Sequence, residues 1–210
     1  MRVIDISMRL EPGMTTYGLN PATAPRHRVL RAFADGGVNE SELTINLHNG
    51  THLDSAFHML DGGEPTEFLP LENLITPCRV LDLTHVQDGI TRADLMPMDI
   101  KSGEFLLFKT ANSQRKAYYP GFVYIKPDAA TYLAERRVKG VGIDALGVER
   151  DQPDHATHTA LLSGGVIILE GLRLAGVAPG GYTLIALPVQ IRDADGAPCR
   201  AVLIEGDFHG

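Results

Sequence analysis

The chain has 210 residues, 44% of them apolar and 21% charged, which is ordinary for a globular protein and enough for one sizeable core. Its formal net charge of −7, with no Lys/Arg cluster, argues against nucleic acid and against anionic membrane surfaces as partners. No apolar stretch approaches the roughly 20 residues that span a bilayer, and the Met1–Ser7 run lacks the apolar core of a signal peptide, so a cytoplasmic protein is expected.

No repeat, low-complexity tract or Ser/Gly linker divides the chain, and residues 1–210 read as one domain. Residues 28–34 and 42–48 are strand-like runs flanking Asp35-Gly-Gly, which predicts a hairpin. In the second run Leu43, Ile45 and Leu47 alternate with Thr44, Asn46 and His48. That alternation predicts one apolar face and places His48 at the strand's end. Residues 79–84 and 104–109 are further strand candidates. Pro127 through Val138 reads as a helix, with proline near its start and Gly140 just past its end. A short strand over Val141–Asp144 follows, then a second helix from Asp154 to Leu162, stopped by Gly164-Gly165, and the apolar strand Val166–Glu170. Residues 182–191 and 198–205 flank Asp195-Gly196 as another hairpin. With 22 glycines and 13 prolines, the turn density favours many short strands over a helical bundle, hence a mixed α/β domain. Cys78 and Cys199 lack CxxC spacing and read as reduced structural thiols, with one long-range disulfide as the alternative.

The densest chemistry lies in His48-Asn-Gly-Thr-His-Leu-Asp-Ser-Ala-Phe-His58, which holds three imidazoles and a carboxylate. Neutral imidazole and carboxylate are ligands preferred by zinc, manganese and iron. His48 and His52 are four apart, as on the helix of HExxH enzymes, but Asn49-Gly50 is a turn signal and opposes a helix. The expected geometry is a strand, a turn at Gly50, and an extended piece in which His52 and Asp54 point the same way. A glycine at 50 lets the backbone fold closely enough for His48 to reach the same ion. Further ligands must come from elsewhere, and the best region is Asp154 through Glu170. His155 and His158 are i, i+3 on the second helix, a spacing that allows both to face inward. Glu170 ends an apolar strand, where a carboxylate is costly unless paired; either a metal ion or a solvent-facing strand end resolves that cost. His85, His155 and His209 have no ligand partners in view and read as surface or structural residues.

The run His48-x-Gly-Thr-His52-x-Asp54-x-x-x-His58 resembles the signature of the cyclase-like metal-dependent hydrolases, the superfamily of bacterial kynurenine formamidase. The resemblance continues in Val141-Gly-Ile-Asp144, in His158 with Glu170-Gly-Leu, and in Leu187-Pro188 ahead of Ala197-Pro-Cys-Arg-Ala201, and so covers nearly the whole chain. It implies a swivelling β/β/α fold with a β-barrel-like core, assembled as a homodimer or a larger oligomer such as a homotetramer. By motif position it implies that His48, His52 and Asp54 bind a first ion, that His158 serves a second with Asp54 and Glu170 shared, and that His58 is the proton donor and acceptor. One or two divalent ions are expected, zinc first and manganese as the alternative. The implied activity is hydrolysis of an amide or related C–N bond of a small aromatic substrate, N-formylkynurenine being a candidate. A bound divalent ion would lower the pKa of a coordinated water from 15.7 toward roughly 7.

Two departures bear on the substrate. Ala56 occupies the place of the signature's usual proline. The family's N-terminal Trp-Pro-Gly stretch is replaced by Met14-Thr-Thr-Tyr-Gly-Leu-Asn-Pro21, in a chain with no tryptophan, which leaves Tyr17 to supply an aromatic wall. Tyr118, Tyr119 and Phe122 are either further lining residues or packing. Two other readings stand beside the hydrolase: a metal-dependent cyclase or lyase polarising a carbonyl toward enolate chemistry, and a non-enzymatic relative that only binds metal or ligand. A retained His58 speaks against the last, since a pure binding site has no need of a proton shuttle.

Overall fold

The computed structural model describes residues 1–115 and 117–206; His209 lies outside them. In chain order the strands are β1 (Arg2–Asp5), β2 (Arg26–Arg31), β3 (Glu40–Thr44), β4 (His52–Asp54), β5 (Ile75–Asp82), β6 (Gly89–Ile90), β7 (Phe105–Lys109), β8 (Tyr124–Ile125), β9 (Gly140–Ile143), β10 (Ile167–Glu170), β11 (Gly180–Pro188) and β12 (Gly196–Glu205). The helices are α1 (Arg92–Leu95), α2 (Pro127–Glu135) and α3 (Ala156–Ser163), joined by several single 3-10 turns. None of these helices is long and apolar enough to cross a membrane.

The main sheet runs β1-β12-β11-β5-β7-β9-β10-β4, and β4 pairs back onto β12. That last pairing closes seven strands into a barrel, with β1 continuing the β12 edge beyond β4. Strands β5, β7, β9 and β10 are mutually parallel, whereas β4, β11 and β12 join antiparallel. This is the mixed barrel with few helices that the sequence resemblance implies.

Parallel strands covered on both faces read as continuous apolar runs, and Phe-Leu-Leu-Phe of β7 shows why. Phe105 and Leu107 point into the barrel core with Val80, Leu169, Leu184 and Leu203. Leu106 and Phe108 point out, beneath Ala129, Ala130 and Leu133 of α2 and Leu161 of α3. Period-2 alternation therefore divides each central strand between an interior core and a helix-covered core. On β10 the same alternation sends Ile167 and Leu169 inward and Ile168 outward, toward the helices. On β4, Leu53 points inward, which leaves His52 and Asp54 on the outer face.

The first hairpin forms, but with narrower strands than the sequence suggests: β2 and β3 pair antiparallel and end at Thr44. His48 is therefore not at a strand's end. It sits in a turn where Asn46 Oδ1 accepts its N–H at 2.9 Å, and an Asn side chain that closes its own turn stops the strand. Nor does β3 bury an apolar face, since Leu43 remains 48% exposed. The second hairpin, β11–β12, pairs from Thr183↔Ile204 to Pro188↔Cys199. Helix α3 starts at Ala156, two residues later than expected, because His155 takes a left-handed conformation (φ 48°) at its N-cap. Both cysteines are free thiols.

Candidate metal centre

The centre lies on the outer face of the barrel, where β4 and β10 pair and α3 packs across them. Antiparallel register sets Glu170 opposite His52 and Ile168 opposite Asp54. Residues opposite each other share a face, so the side chains of His52, Asp54 and Glu170 meet there. Thr51 fastens the two strands: its Oγ1 donates to the Gly171 carbonyl at 2.7 Å and accepts the Met8 N–H at 2.7 Å. Gly171 has φ of 71°, and a Cβ there would sit 2.0 Å from the Gly50 carbonyl oxygen. Gly50 itself has φ of 70°, as the close fold of the run requires. On the other side of β4, a Cβ on Gly196 would meet the His48 ring at 2.7 Å, so a bare backbone lets that ring swing over the strand.

The donors converge on Asp54. Its Oδ1 is 2.9 Å from His48 Nδ1 and 3.4 Å from His52 Nε2, and its Oδ2 is 3.5 Å from His158 Nε2. Glu170 faces the same group, with Oε2 3.4 Å from His52 Nε2 and Oε1 3.6 Å from His158 Nε2. His52 Nε2, both Asp54 oxygens and, on the outer side, His158 Nδ1 are buried without a hydrogen-bond partner. Buried polar atoms are almost always paired, and the three inward-facing orphans in one cluster call for a further partner. Ligands about 2.0–2.2 Å from a zinc ion and arranged tetrahedrally are separated by roughly 3.3–3.6 Å, which matches the spacing around His52 and His158.

The outward nitrogens of His48 and His52 are hydrogen-bonded, and that of His158 lies at ion-pair distance from a carboxylate. Gly50 O lies 3.1 Å from His52 Nδ1, and Asp195 Oδ2 is 2.9 Å from His48 Nε2. Glu149 Oε2 lies 3.0 Å from His158 Nδ1. Such outer partners select the tautomer and free the opposite nitrogen as a ligand. The inward atoms are then His48 Nδ1, His52 Nε2 and His158 Nε2, the same three that face Asp54. His58 differs. Its Nδ1 is 3.6 Å from Asp195, its ring lies 4.2 Å from that of His48, and it lines the cavity.

Electrostatics separates these histidines. Burial lowers the pKa of His52, but the Asp54 and Glu170 carboxylates reverse this and hold it at about 10. Burial likewise opposes protonation of His158, and Asp54, Glu149 and Glu170 raise it to about 12. Burial also works against protonated His48, and Asp54 and Asp195 raise it overall. Asp54 is driven up by burial and pulled well below its usual range by the three imidazoles. Glu170, raised by burial and by Asp54, falls to about 2 under His158 and His52. Among the four imidazoles of the site only His58 is lowered, chiefly by burial, with His48 and His158 adding repulsion. Without an ion, protonated imidazoles neutralise two buried carboxylates; a divalent cation does the same job with the rings neutral.

A cavity of about 230 Å³ opens onto the cluster, bordered by Tyr17, His48, His58, Met59, Leu146 and Glu170 among others. Tyr17 is thus at the site, its ring backed edge-on by Tyr118 at 5.7 Å and Phe122 at 6.1 Å. Tyr118 and Phe122 support that wall without bordering the cavity, and Tyr119 instead stacks under Arg115. Ala56 begins a 3-10 turn that runs to His58. Hydrogen bonds replace the missing proline's restraint: Ser55 N and Oγ each donate to Asp195 O at 3.0 Å, and His58 N donates to Ser55 O at 3.1 Å.

All six residues expected around the metal and proton chemistry come together. His155 does not join His158 in the donor cluster: its left-handed backbone takes it off the helix face, and its side chain, 54% exposed, borders the cavity instead. His85 is exposed, as expected. Asp144 is buried away from the centre, accepting from Thr110 and Ser113 backbone and hydroxyl groups. Two carboxylates escaped the sequence reading. Asp195 was visible only as half of a turn dipeptide, and Glu149 stands in no motif.

A family model described as "Putative cyclase" matches residues 4–150. A kynurenine formamidase of Salinibacter ruber is 36% identical over 206 residues, covering 97% of each chain. A solved structure of a potential metal-dependent hydrolase with cyclase activity superposes with a TM-score of 0.91 at 42% identity, covering 96% of both chains. That of a predicted metal-dependent hydrolase from Bacillus stearothermophilus gives 0.89 at 44% identity, over 96% of this chain and 97% of the other.

Proposed function

The chain belongs to the cyclase family, and from that premise we propose that it is a metal-dependent hydrolase of an amide or related C–N bond in a small aromatic substrate. The observation that carries this reading is the set of orphaned inward atoms, His52 Nε2 and both Asp54 oxygens, beside His48 and His52, whose outer nitrogens are hydrogen-bonded. His48, His52 and Asp54 hold one divalent ion; His158 holds a second, with Asp54 and Glu170 shared. Zinc suits this mixed nitrogen and oxygen set, with manganese as the alternative. When bound, the metal supplies Lewis acidity at the substrate carbonyl and makes water acidic enough to act as a nucleophile near neutral pH.

The chain's own residues do the rest. His58 turns Nδ1 toward Asp195, which leaves Nε2 to take a proton from the attacking water and return it to the departing nitrogen. Its lowered pKa keeps it neutral, and hence able to accept that proton. His58 also stands within ligand reach of His48 and Asp54, but unlike the other three rings it faces no carboxylate at bonding distance. Tyr17 lies along the cavity as a flat wall for an aromatic ring, in the role left open by the absent tryptophan. N-formylkynurenine, cleaved to kynurenine and formate, fits these requirements.

We take residues 1–210 as one domain acting in the cytoplasm as a homodimer or homotetramer. The β2–β3 hairpin supports assembly, since Val29, Phe33 and Leu43 are 62%, 68% and 48% exposed, and an isolated hairpin is marginal in water. The deciding experiment is a hydrolysis screen of zinc- and manganese-loaded protein against N-formylkynurenine, other aryl formamides, isatin-like lactams and lactones. Turnover with incorporation of ¹⁸O from solvent is expected for a formamide. Product lacking solvent oxygen would move the protein to the cyclase reading, and no turnover with any metal would defeat the hydrolase.

A further inference from the structure

One buried carboxylate near the centre neither holds an ion nor moves a proton in the scheme above. Glu149 is 6% exposed and follows Val148, whose N–H donates to Glu170 Oε1 at 2.6 Å. Its Oε2 accepts the His158 backbone N–H at 3.1 Å and lies 3.0 Å from His158 Nδ1. Its Oε1 is 2.5 Å from His155 Nδ1. A carboxylate this buried is costly unless each oxygen is engaged, and here both oxygens are, one by each histidine.

The outer residue is itself specially placed. His155 holds a left-handed conformation (φ 48°, ψ 38°) at the N-cap of α3, which is uncommon for a residue with a Cβ and persists where surroundings over-determine it. That conformation takes His155 off the helix face and puts its Nδ1 on Glu149. The order is therefore a half-exposed His155, then buried Glu149, then His158, whose Nε2 faces Asp54 and Glu170. By contrast, His48 and His52 take their outer contacts from Asp195 and Gly50 and have no contact with Glu149.

We infer that Glu149 is the positioning residue for the His158 half of the centre, held in place by His155, and that it governs occupancy of the second metal position without governing the first. The inference rests on the two-ion reading proposed above. Outer partners of ligating histidines typically contribute 10–100-fold to metal affinity. Removing the charge while keeping the shape, as in Glu149→Gln, is expected to weaken the second ion by about that factor and leave the first unchanged.

Manganese is the probe, because two neighbouring Mn²⁺ ions give a spin-coupled signal that one ion does not. Metal-free protein is titrated with Mn²⁺ and followed by calorimetry and electron paramagnetic resonance. Wild type should bind two ions and develop the coupled spectrum. Glu149→Gln should bind the first with wild-type affinity and give an uncoupled six-line spectrum at concentrations that fill both positions in wild type. His155→Ala, which leaves Glu149 charged but unanchored, should show the same split at smaller amplitude, and it carries the test if Glu149→Gln fails to fold. Equal second-ion affinity and an intact coupled spectrum in the variants would overturn the inference. Loss of both ions in a folded variant would overturn it too, by showing a general structural role. A wild type that binds one ion, or two without coupling, would instead overturn the shared-ligand reading on which it rests.

Discussion

Replacing His58 by alanine separates metal binding from turnover. The ring is 23% exposed, lies 4.2 Å from His48 and 5.7 Å from His158, and approaches Asp195 at 3.6 Å. Truncating a partly exposed ring with no close hydrogen bond belongs toward the lower end of the about 0.5–3 kcal/mol that single substitutions remove. Its outer-face neighbours stay put, since His48 keeps Asp195 and the inward nitrogens keep Asp54 and Glu170. Metal content by plasma mass spectrometry should therefore stay within the wild-type range. Turnover is another matter, because general acid–base catalysis supplies about 10²–10⁴-fold, equivalent to about 2.7–5.4 kcal/mol at 1.36 kcal/mol per decade. The loss should fall on kcat with little change in KM, and exogenous imidazole should restore part of it. A His58→Ala protein that loses metal as Asp54→Ala does would refute the reasoning, since His58 would then be a ligand.

Four further outcomes follow from the structure. Asp54→Ala and Glu170→Ala should each lower bound metal in purified protein, and a fully loaded variant of either would remove it from the ligand set. Chelating the metal should lower Tm by about 5–10 °C, taking free metal at 100 Kd as about 2.7 kcal/mol of stabilisation and about 2–4 °C per kcal/mol for a chain of this size; a Tm insensitive to chelator argues against an ion in the native state. Burial pushes both Cys78 and Cys199 up to about 12, so the thiolate fraction at pH 8 is far below that of a free thiol at about 8.5. Iodoacetamide at pH 8 should therefore leave both unmodified until denaturant is added, when both should react. Gly171→Ala forces a Cβ into the Gly50 carbonyl at a positive φ, and should cost about 1–3 kcal/mol or more with loss of metal, read as a fall in Tm and in metal content. A variant of wild-type stability would mean that this crossing is looser than the distances imply.

Much of the centre is local in the chain and was legible there. His52 and Asp54 share a face because extended chain repeats every two residues, and Gly50 turns the run because only glycine adopts φ near 70° freely. The apolar runs of β7, β9 and β10 marked strands covered on both faces. Where the reading failed, a local exception intervened. Asn46 closes a turn on its own backbone and stops β3 short of His48, and the left-handed His155 breaks the i, i+3 pairing with His158.

The chain alone determined the ligand types, their spacing within the run, and a mixed α/β fold, since these follow from side-chain chemistry and from the 2.0 and 3.6 residue periods. The tertiary structure decided which nitrogen of each imidazole faces inward, because that depends on an outer partner more than a hundred residues away for His48, on a backbone carbonyl for His52, and on a loop carboxylate that the turn into α3 brings up for His158. It also decided that Glu170 faces Asp54 and not solvent, through the β4–β10 register. Glu149 and Asp195 acquire their roles only there: a carboxylate in a loop carries no mark of what it touches until barrel closure and α3 bring the histidines to it.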